Sequence, residues 1–314
     1  MSFHNDGQIG HSHDAVKAIL RAYGISEFTF SVADSGIENT TFIVVTPQEQ
    51  YALRVYRHSK KQDGEIEREL AFMDALRAQG MPIPVVLPNT KGEQISIVSF
   101  DDKTWEALLC EYVEGVHPTA YTETLICRMA DLQAQMHSLG AAFDSDNAPM
   151  HHLKHLAEAE FVKRIDIARL RSTDLQQLIE RISDYQISID PALPYGYSHF
   201  DFDAGNILVD ARGELSAILD FDDLQYGPLV VCLGYTLYDI LQETSSVELV
   251  RAYIARYNKT RKLTPNELAW LPITMLFRHY VMVALRVLND RTDPYDVQKY
   301  LALEKQLMTL DLSD

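Results

Sequence analysis

The feature that most constrains this chain is a change of hydrophobic period near Gly115. Before it, Phe28-Thr29-Phe30-Ser31-Val32, Thr41-Phe42-Ile43-Val44-Val45 and Tyr51-Ala52-Leu53-Arg54-Val55-Tyr56 are rich in β-branched and aromatic residues and predict strands, the last two parted by the turn Pro47–Gln50. Ile66, Leu70, Met73 and Leu76 recur at helical spacing over 64–79, and Gly80 with Pro82 ends that helix. Gln94–Val98 and Trp105–Val113 predict two more strands, with a turn at Asp101-Asp102. An amphipathic stretch over 14–22 precedes them all.

Beyond Gly115 the period is helical. Leu125, Met129, Leu132, Met136 and Leu139 form one long stripe, and 151–183 read as two helices broken near Arg171-Ser172-Thr173-Asp174. Gly227-Pro228 opens an apolar helix over 229–242, Thr264-Pro265-Asn266-Glu267 is a capping box, and Asp293-Pro294 starts the last helix. A β-rich part followed by a helical part predicts an α+β chain. At 314 residues it exceeds one ordinary hydrophobic core. Two lobes are therefore expected, 1–113 and 114–314.

Charge narrows the function. A formal net charge of −17 leaves no basic face for nucleic acid, while it suits a small cationic substrate. Cys110, Cys127 and Cys232 lie in apolar runs without a CxxC pair, as small buried residues of a reducing compartment do. The N-terminus lacks the basic flank and apolar core of a signal peptide, and the apolar runs fall short of membrane-spanning length, so a cytoplasmic protein without a membrane partner is expected. His4, His11 and His13 read as solvated, and His137 as a core residue.

The chemistry concentrates in Tyr197-Ser198-His199-Phe200-Asp201-Phe202-Asp203-Ala204-Gly205-Asn206-Ile207-Leu208 and in Ile218-Leu219-Asp220-Phe221-Asp222-Asp223. Ile207–Val209 and Leu215–Leu219 predict a hairpin turned at Asp210–Gly213, which would bring Asn206 and Asp220 to one edge with Asp201 just before. Phosphoryl transfer needs that trio: one carboxylate for the proton of the attacking hydroxyl, an Asn and a second Asp for metal ions.

His-x-Asp-x-x-x-x-Asn followed by a further Asp resembles the catalytic segment of the aminoglycoside phosphotransferase family, which includes choline, ethanolamine and type II homoserine kinases. The resemblance spans about residues 30 to 240 and implies a bilobal protein-kinase-like fold, with ATP and Mg2+ bound between lobes and a small-molecule hydroxyl as acceptor. It implies Asp201 as base, Asn206 and Asp220 as metal ligands, Ser35 and Gly36 in a phosphate loop, and Arg54 on the phosphates, paired with Glu69. It implies adenine contacts from the backbone of Glu111, Tyr112 and Val113. Asp203, Asp222 and Asp223 are candidates for a cationic acceptor or a second metal. Gly36-Ile37-Glu38-Asn39-Thr40 is similar to the loop of type II homoserine kinases, while acidity suits a choline-like or aminoglycoside acceptor, so the acceptor stays open.

Two departures stand out. Arg54 occupies the usual Lys position, with the same charge but a bulkier, forked donor set. Many relatives carry an Asp shortly after the Gly-Pro that anchors the catalytic loop; here Val231 and Cys232 stand there, and Asp239 follows two turns later. These departures motivate a second reading, a nucleotide-binding pseudokinase without turnover. A metal-dependent hydrolase built on His199, Asp201 and Asp203 is a third. Protein kinase activity is disfavoured by a catalytic loop without a basic middle residue and by the lack of Ala-Pro-Glu after Asp220.

Overall fold

The computed structural model describes residues 13–35, 39–56, 64–100, 103–143, 162, 164–170, 172–185, 187–288 and 294–312. The expected turn at Asp101-Asp102, Gly36 and most of 144–171 lie outside these residues. The chain forms two compact units: residues up to Val116 with Leu208–Arg212 and Ser216–Asp222, and His117–Ile207 with Gly213–Leu215 and Asp223 onward.

The first unit is an antiparallel sheet with two helices. Strands β1 (Thr29–Ser35), β2 (Asn39–Val45), β3 (Gln50–Tyr56), β4 (Val86–Leu87), β5 (Ser96–Phe100) and β6 (Lys103–Glu111) run in the order β1-β2-β3-β6-β4, with β5 also on β6. The alternation read from the sequence is physical: Thr40, Phe42 and Val44 of β2 are buried and their neighbours less so. Helix α1 (His13–Arg21) lays Val16, Ile19 and Leu20 into the same core as Phe42, Leu53 and Trp105. Helix α2 (Glu65–Ala78) buries Ile66, Leu70, Met73 and Leu76, and with them Glu69.

The second unit contains α3 (Glu123–Ala142), α4 (Thr173–Asp184), β7 (Tyr195–His199) and, beyond the hairpin β8 (Ile207–Val209) and β9 (Leu215–Ile218), β10 (Leu224–Pro228). Helices α5 (Leu229–Thr244), α6 (Val247–Tyr257), α7 (Pro265–Leu288) and α8 (Pro294–Met308) follow. The capping box closes reciprocally: Glu267 N donates to Thr264 Oγ1 at 3.1 Å and Thr264 N to the Glu267 carboxylate at 2.9 Å. By length and composition α7 could cross a membrane, yet it buries Glu267, Arg278 and His279 within the unit.

Strands β7 and β10 pair antiparallel, Tyr197 opposite Tyr226, although neither reads as a strand in the sequence. Tyr-Gly-Tyr-Ser-His is buried almost throughout and so shows no alternation, while β10 ends in Gly-Pro. Two glycines seat β7 on α3. A Cβ on Gly140 would fall onto the Tyr197 carbonyl oxygen, and one on Gly196 would lie 2.7 Å from Ala141 N. Gly140→Ala is expected to lower stability by about 1–3 kcal/mol in urea unfolding, since backbone rather than a flexible tip must yield; an unchanged midpoint would contradict this contact.

His137 and His279 are core residues. The His137 ring is fully buried with Nδ1 2.7 Å from the Tyr257 hydroxyl, and burial holds its pKa well below the usual value. Burial pushes His279 down from 6.5 to about 4. The unfolded chain therefore takes up more protons than the folded one in that window, so stability contributed above pH 6.5 is lost as pH falls towards 4. For His279 this amounts to about 3 kcal/mol. Urea midpoints of His279→Gln should vary less with pH between 6.5 and 4 than those of the wild type, and equal dependences would refute the assignment.

Candidate active site

His199, Asp201, Asp203 and Asn206 gather in the second unit. Strand β7 ends at His199, whose buried ring accepts the Asp201 backbone N–H on Nδ1 at 3.3 Å. Asn206 Nδ2 donates to Asp201 O at 2.7 Å and to Asp201 Oδ2 at 3.0 Å. Both partners only accept, so the amide orientation is fixed and its oxygen is the atom suited to a metal ion. The other Asp201 oxygen, Oδ1, accepts from Arg278 Nη2 at 2.7 Å. Asp203 begins the short turn Ala204–Asn206, its Oδ1 accepting from Gly205 N at 2.7 Å. Burial, then the nearby Asp201 charge, raises the Asp203 pKa. The Tyr121 hydroxyl accepts from Ala204 N at 3.0 Å.

The support that the Gly-Pro region leaves unassigned is supplied by neutral groups on α5. Cys232 Sγ donates to the His199 carbonyl at 3.0 Å and accepts from Ser198 Oγ at 3.0 Å. One turn on, Thr236 Oγ1 donates to the Phe202 carbonyl at 2.9 Å. Gln133 Nε2 donates to Thr236 Oγ1 at 2.8 Å, and Gln133 Oε1 accepts from the Tyr253 hydroxyl at 2.9 Å. Asp239, two turns along α5, lies 3.9 Å from Arg278. Its pKa is pushed up to about 8, chiefly by burial, with Arg278 opposing and Asp203 and Asp201 adding.

In the first unit Arg54 of β3 is the centre of a second cluster. Its Nη2 lies 2.5 Å from Asp220 Oδ1 and 2.5 Å from Asp222 Oδ1, and its Nη1 lies 3.6 Å from Glu69. Glu69, 1% exposed, also accepts from the Tyr56 hydroxyl at 3.1 Å. Burial alone would lower the Arg54 pKa, but Asp222 and Asp220 more than offset it, so it is raised. Asp220 has a left-handed backbone, φ 57°, that Asp tolerates and that often marks functional turns. The hairpin segment is tied to this unit by mutual backbone bonds of Val116 and Val209, 3.0 and 2.9 Å, and by Ile218 N to Pro82 O at 2.8 Å.

Glu111 closes β6 with its N–H on Val85 O at 2.9 Å, and Tyr112 and Val113 follow it. Ser35 ends β1, while Gly36 lies outside the described residues. Asp223 belongs to the second unit, its carbonyl accepting from Phe200 N at 3.5 Å. A hollow of about 650 Å³ in the first unit, lined by Glu67, Asp74, Asn89 and Lys91 among others, includes none of the site residues. Among the described residues no three His, Cys, Asp or Glu side chains form a metal cluster, His199, Asp201 and Asp203 included. The sequence reading missed Arg278, Thr236, Gln133 and Tyr121. For Arg278 a signal exists: it is a cation inside an apolar helix that has no wet face there.

Solved structures share this fold. A microcompartment-associated aminopropanol kinase superposes with a TM-score of 0.68 at 20% identity, over 94% of this chain and 95% of that one. Amicoumacin kinase, solved with AMP-PNP and Ca2+, gives 0.67 at 17% identity, over 94% and 96%. Choline kinase from Cryptosporidium parvum gives 0.61 at 15%, over 95% and 96%. The fold is thus the α+β, protein-kinase-like fold of small-molecule phosphotransferases. The phosphotransferase enzyme family (APH) matches residues 29–271, and the chain belongs to it. Homoserine kinase of Bradyrhizobium diazoefficiens is 24% identical over 271 residues, 83% of this chain and 79% of that protein. Homoserine kinase of Polaromonas naphthalenivorans is likewise 24% identical, over 268 residues, 83% and 82%. The protein is a small-molecule kinase, a transferase of phosphoryl groups to an alcohol, and ATP with a divalent metal is the cofactor pair of its class.

Burial pushes the Cys232 thiol up to about 12, which makes it a hydrogen-bonding group and a poor nucleophile. It should resist iodoacetamide at pH 8 in the folded protein and label only after unfolding, as read by mass spectrometry. Cys232→Ala should cost on the order of 1–3 kcal/mol through the lost hydrogen bond to the His199 carbonyl. Rapid labelling of the native thiol would contradict its place behind the loop.

Proposed function

We propose that this kinase takes ATP with Mg2+ and phosphorylates the hydroxyl of a small amino alcohol, a class that includes homoserine and simple aminoalkanols. The observation that carries the reading is Asp201, a carboxylate on a loop end with both oxygens held by protein donors. The amine of the acceptor is favoured by charge, because the Asp201 and Asp203 carboxylates stand near one another, with the Arg278 guanidinium beside them. Homoserine kinases and an aminopropanol kinase among the similar proteins support the same class; an aminoglycoside is the larger variant.

The residues fit such a nucleotide. The residue types proposed as ligands, the Asn206 amide oxygen of the second unit and the Asp220 and Asp222 carboxylates of the first, offer oxygen only, as a hard cation prefers. Bound ATP with its metal ions supplies the phosphoryl group and neutralises the charge on it. Asp201 orients the acceptor hydroxyl and takes its proton. Asn206 and Asp220 hold the metal. Arg54, steadied by Glu69, serves the phosphates, and Ser35 with Gly36 forms their loop. The backbone of Glu111, Tyr112 and Val113 serves the adenine, which makes 1–113 the nucleotide lobe and 114–314 the catalytic and substrate lobe. Asp203, Asp222 and Asp223 are left for the acceptor or a second metal. A cytoplasmic location fits the reduced cysteines.

The pseudokinase reading is favoured by one observation: Arg54 Nη2 is already engaged by both Asp220 and Asp222. A coupled ADP-release assay over aminoalkanols, homoserine, choline and an aminoglycoside separates the two. Turnover with an amino alcohol is expected, and Asp201→Asn should lower kcat by roughly 10²–10⁴ while Mg2+-dependent thermal stabilisation by ATP persists. Stabilisation by ATP without turnover of any acceptor would establish the pseudokinase, and unchanged turnover in Asp201→Asn would remove Asp201 from the mechanism.

A further inference from the structure

We infer that Arg278 is a positioning residue for Asp201, a strut from α7 that fixes the rotamer of the carboxylate; this rests on the assignment of Asp201 as the proton acceptor. The guanidinium is only 8% exposed, and a charge so placed is costly unless its geometry is needed. Nη2 donates to Asp201 Oδ1 at 2.7 Å, the guanidinium carbon lies 4.7 Å from the Tyr235 ring centroid, and Asp239 balances it at 3.9 Å. Among the described residues its Nε finds no hydrogen-bond partner, while Nη2 is spent on Asp201.

Tyr235 and Asp239 are one turn apart on α5 and cradle the arginine between them. The close approach of α5 to α7 depends on Gly234, where a Cβ would run into the Thr274 side chain, one turn before Arg278. With Asn206 on Oδ2 and Arg278 on Oδ1, the carboxylate is gripped by two donors from sequence-distant segments. A hydroxyl approaching it meets a lone pair in a set direction, which is what orientation contributes to rate. A lysine could supply the charge but not the planar fork that both stacks on Tyr235 and reaches Asp201.

The test is a double-mutant cycle in acceptor-dependent ADP release. Arg278→Met should lower kcat by about 10–100-fold with the KM for ATP and ATP-dependent thermal stabilisation unchanged, and Arg278→Lys should recover part of the loss. In an Asp201→Asn background Arg278→Met should cost nothing further, because the strut then has no base to hold. An equal loss in both backgrounds would show a merely structural role and overturn the inference. If Asp201→Asn itself turns over normally, the reading of Asp201 fails and not the geometry of the strut. Should Arg278→Met misfold because Asp239 is left without its cation, Arg278→Met/Asp239→Leu removes both charges and carries the same comparison; wild-type kcat in it would equally overturn the inference.

Discussion

The loop that carries Asp201 is irregular backbone, and its carbonyls need partners that neither a sheet ladder nor a helix ladder supplies. Here the carbonyls of His199, Asp201 and Phe202 are taken by Cys232, Asn206 and Thr236 in turn. Two of these donors sit one turn apart on α5, so a single buried helix face holds both ends of the segment that carries Asp201. The rest of the arrangement around Asp201 follows from that helix. It carries Tyr235 and Asp239 towards Arg278, and Gly234 lets α7 come close enough for Arg278 to touch Asp201.

Charge is distributed with the same economy. In the second unit three carboxylates share one arginine; in the first, Glu69, Asp220 and Asp222 share Arg54. Both guanidinium groups are buried enough that desolvation works against them, and in both the carboxylates prevail.

Much of this is legible in the sequence because it is local. The strands of the first unit, the stripe of α3 and the capping box of α7 announce themselves by period and by cap chemistry. The spacing His-x-Asp-x-x-x-x-Asn places Asn206 within reach of Asp201 through one short turn. Glu69 against Arg54 needs only the face of one helix and one strand. What is not legible is long-range. Arg278 lies 77 residues from Asp201, and nothing in Thr274–Val283 says which carboxylate it meets. Cys232 reads as a small hydrophobe until the His199 carbonyl is found beside it. Strand β7 hides because burial on both faces erases its alternation, and the Gly140–Gly196 contact that seats it is a matter of backbone distance.

The family and the fold fix the reaction class, phosphoryl transfer to a small-molecule hydroxyl, and the acceptor proposed for it is an amine-bearing alcohol. The most direct test is 31P NMR of the protein with ATP, Mg2+ and a simple amino alcohol or homoserine. The account predicts a phosphate monoester resonance that grows one-for-one with ADP as the γ-phosphate signal falls. ADP accompanied only by inorganic phosphate, or ATP bound and unchanged with every acceptor, would contradict it.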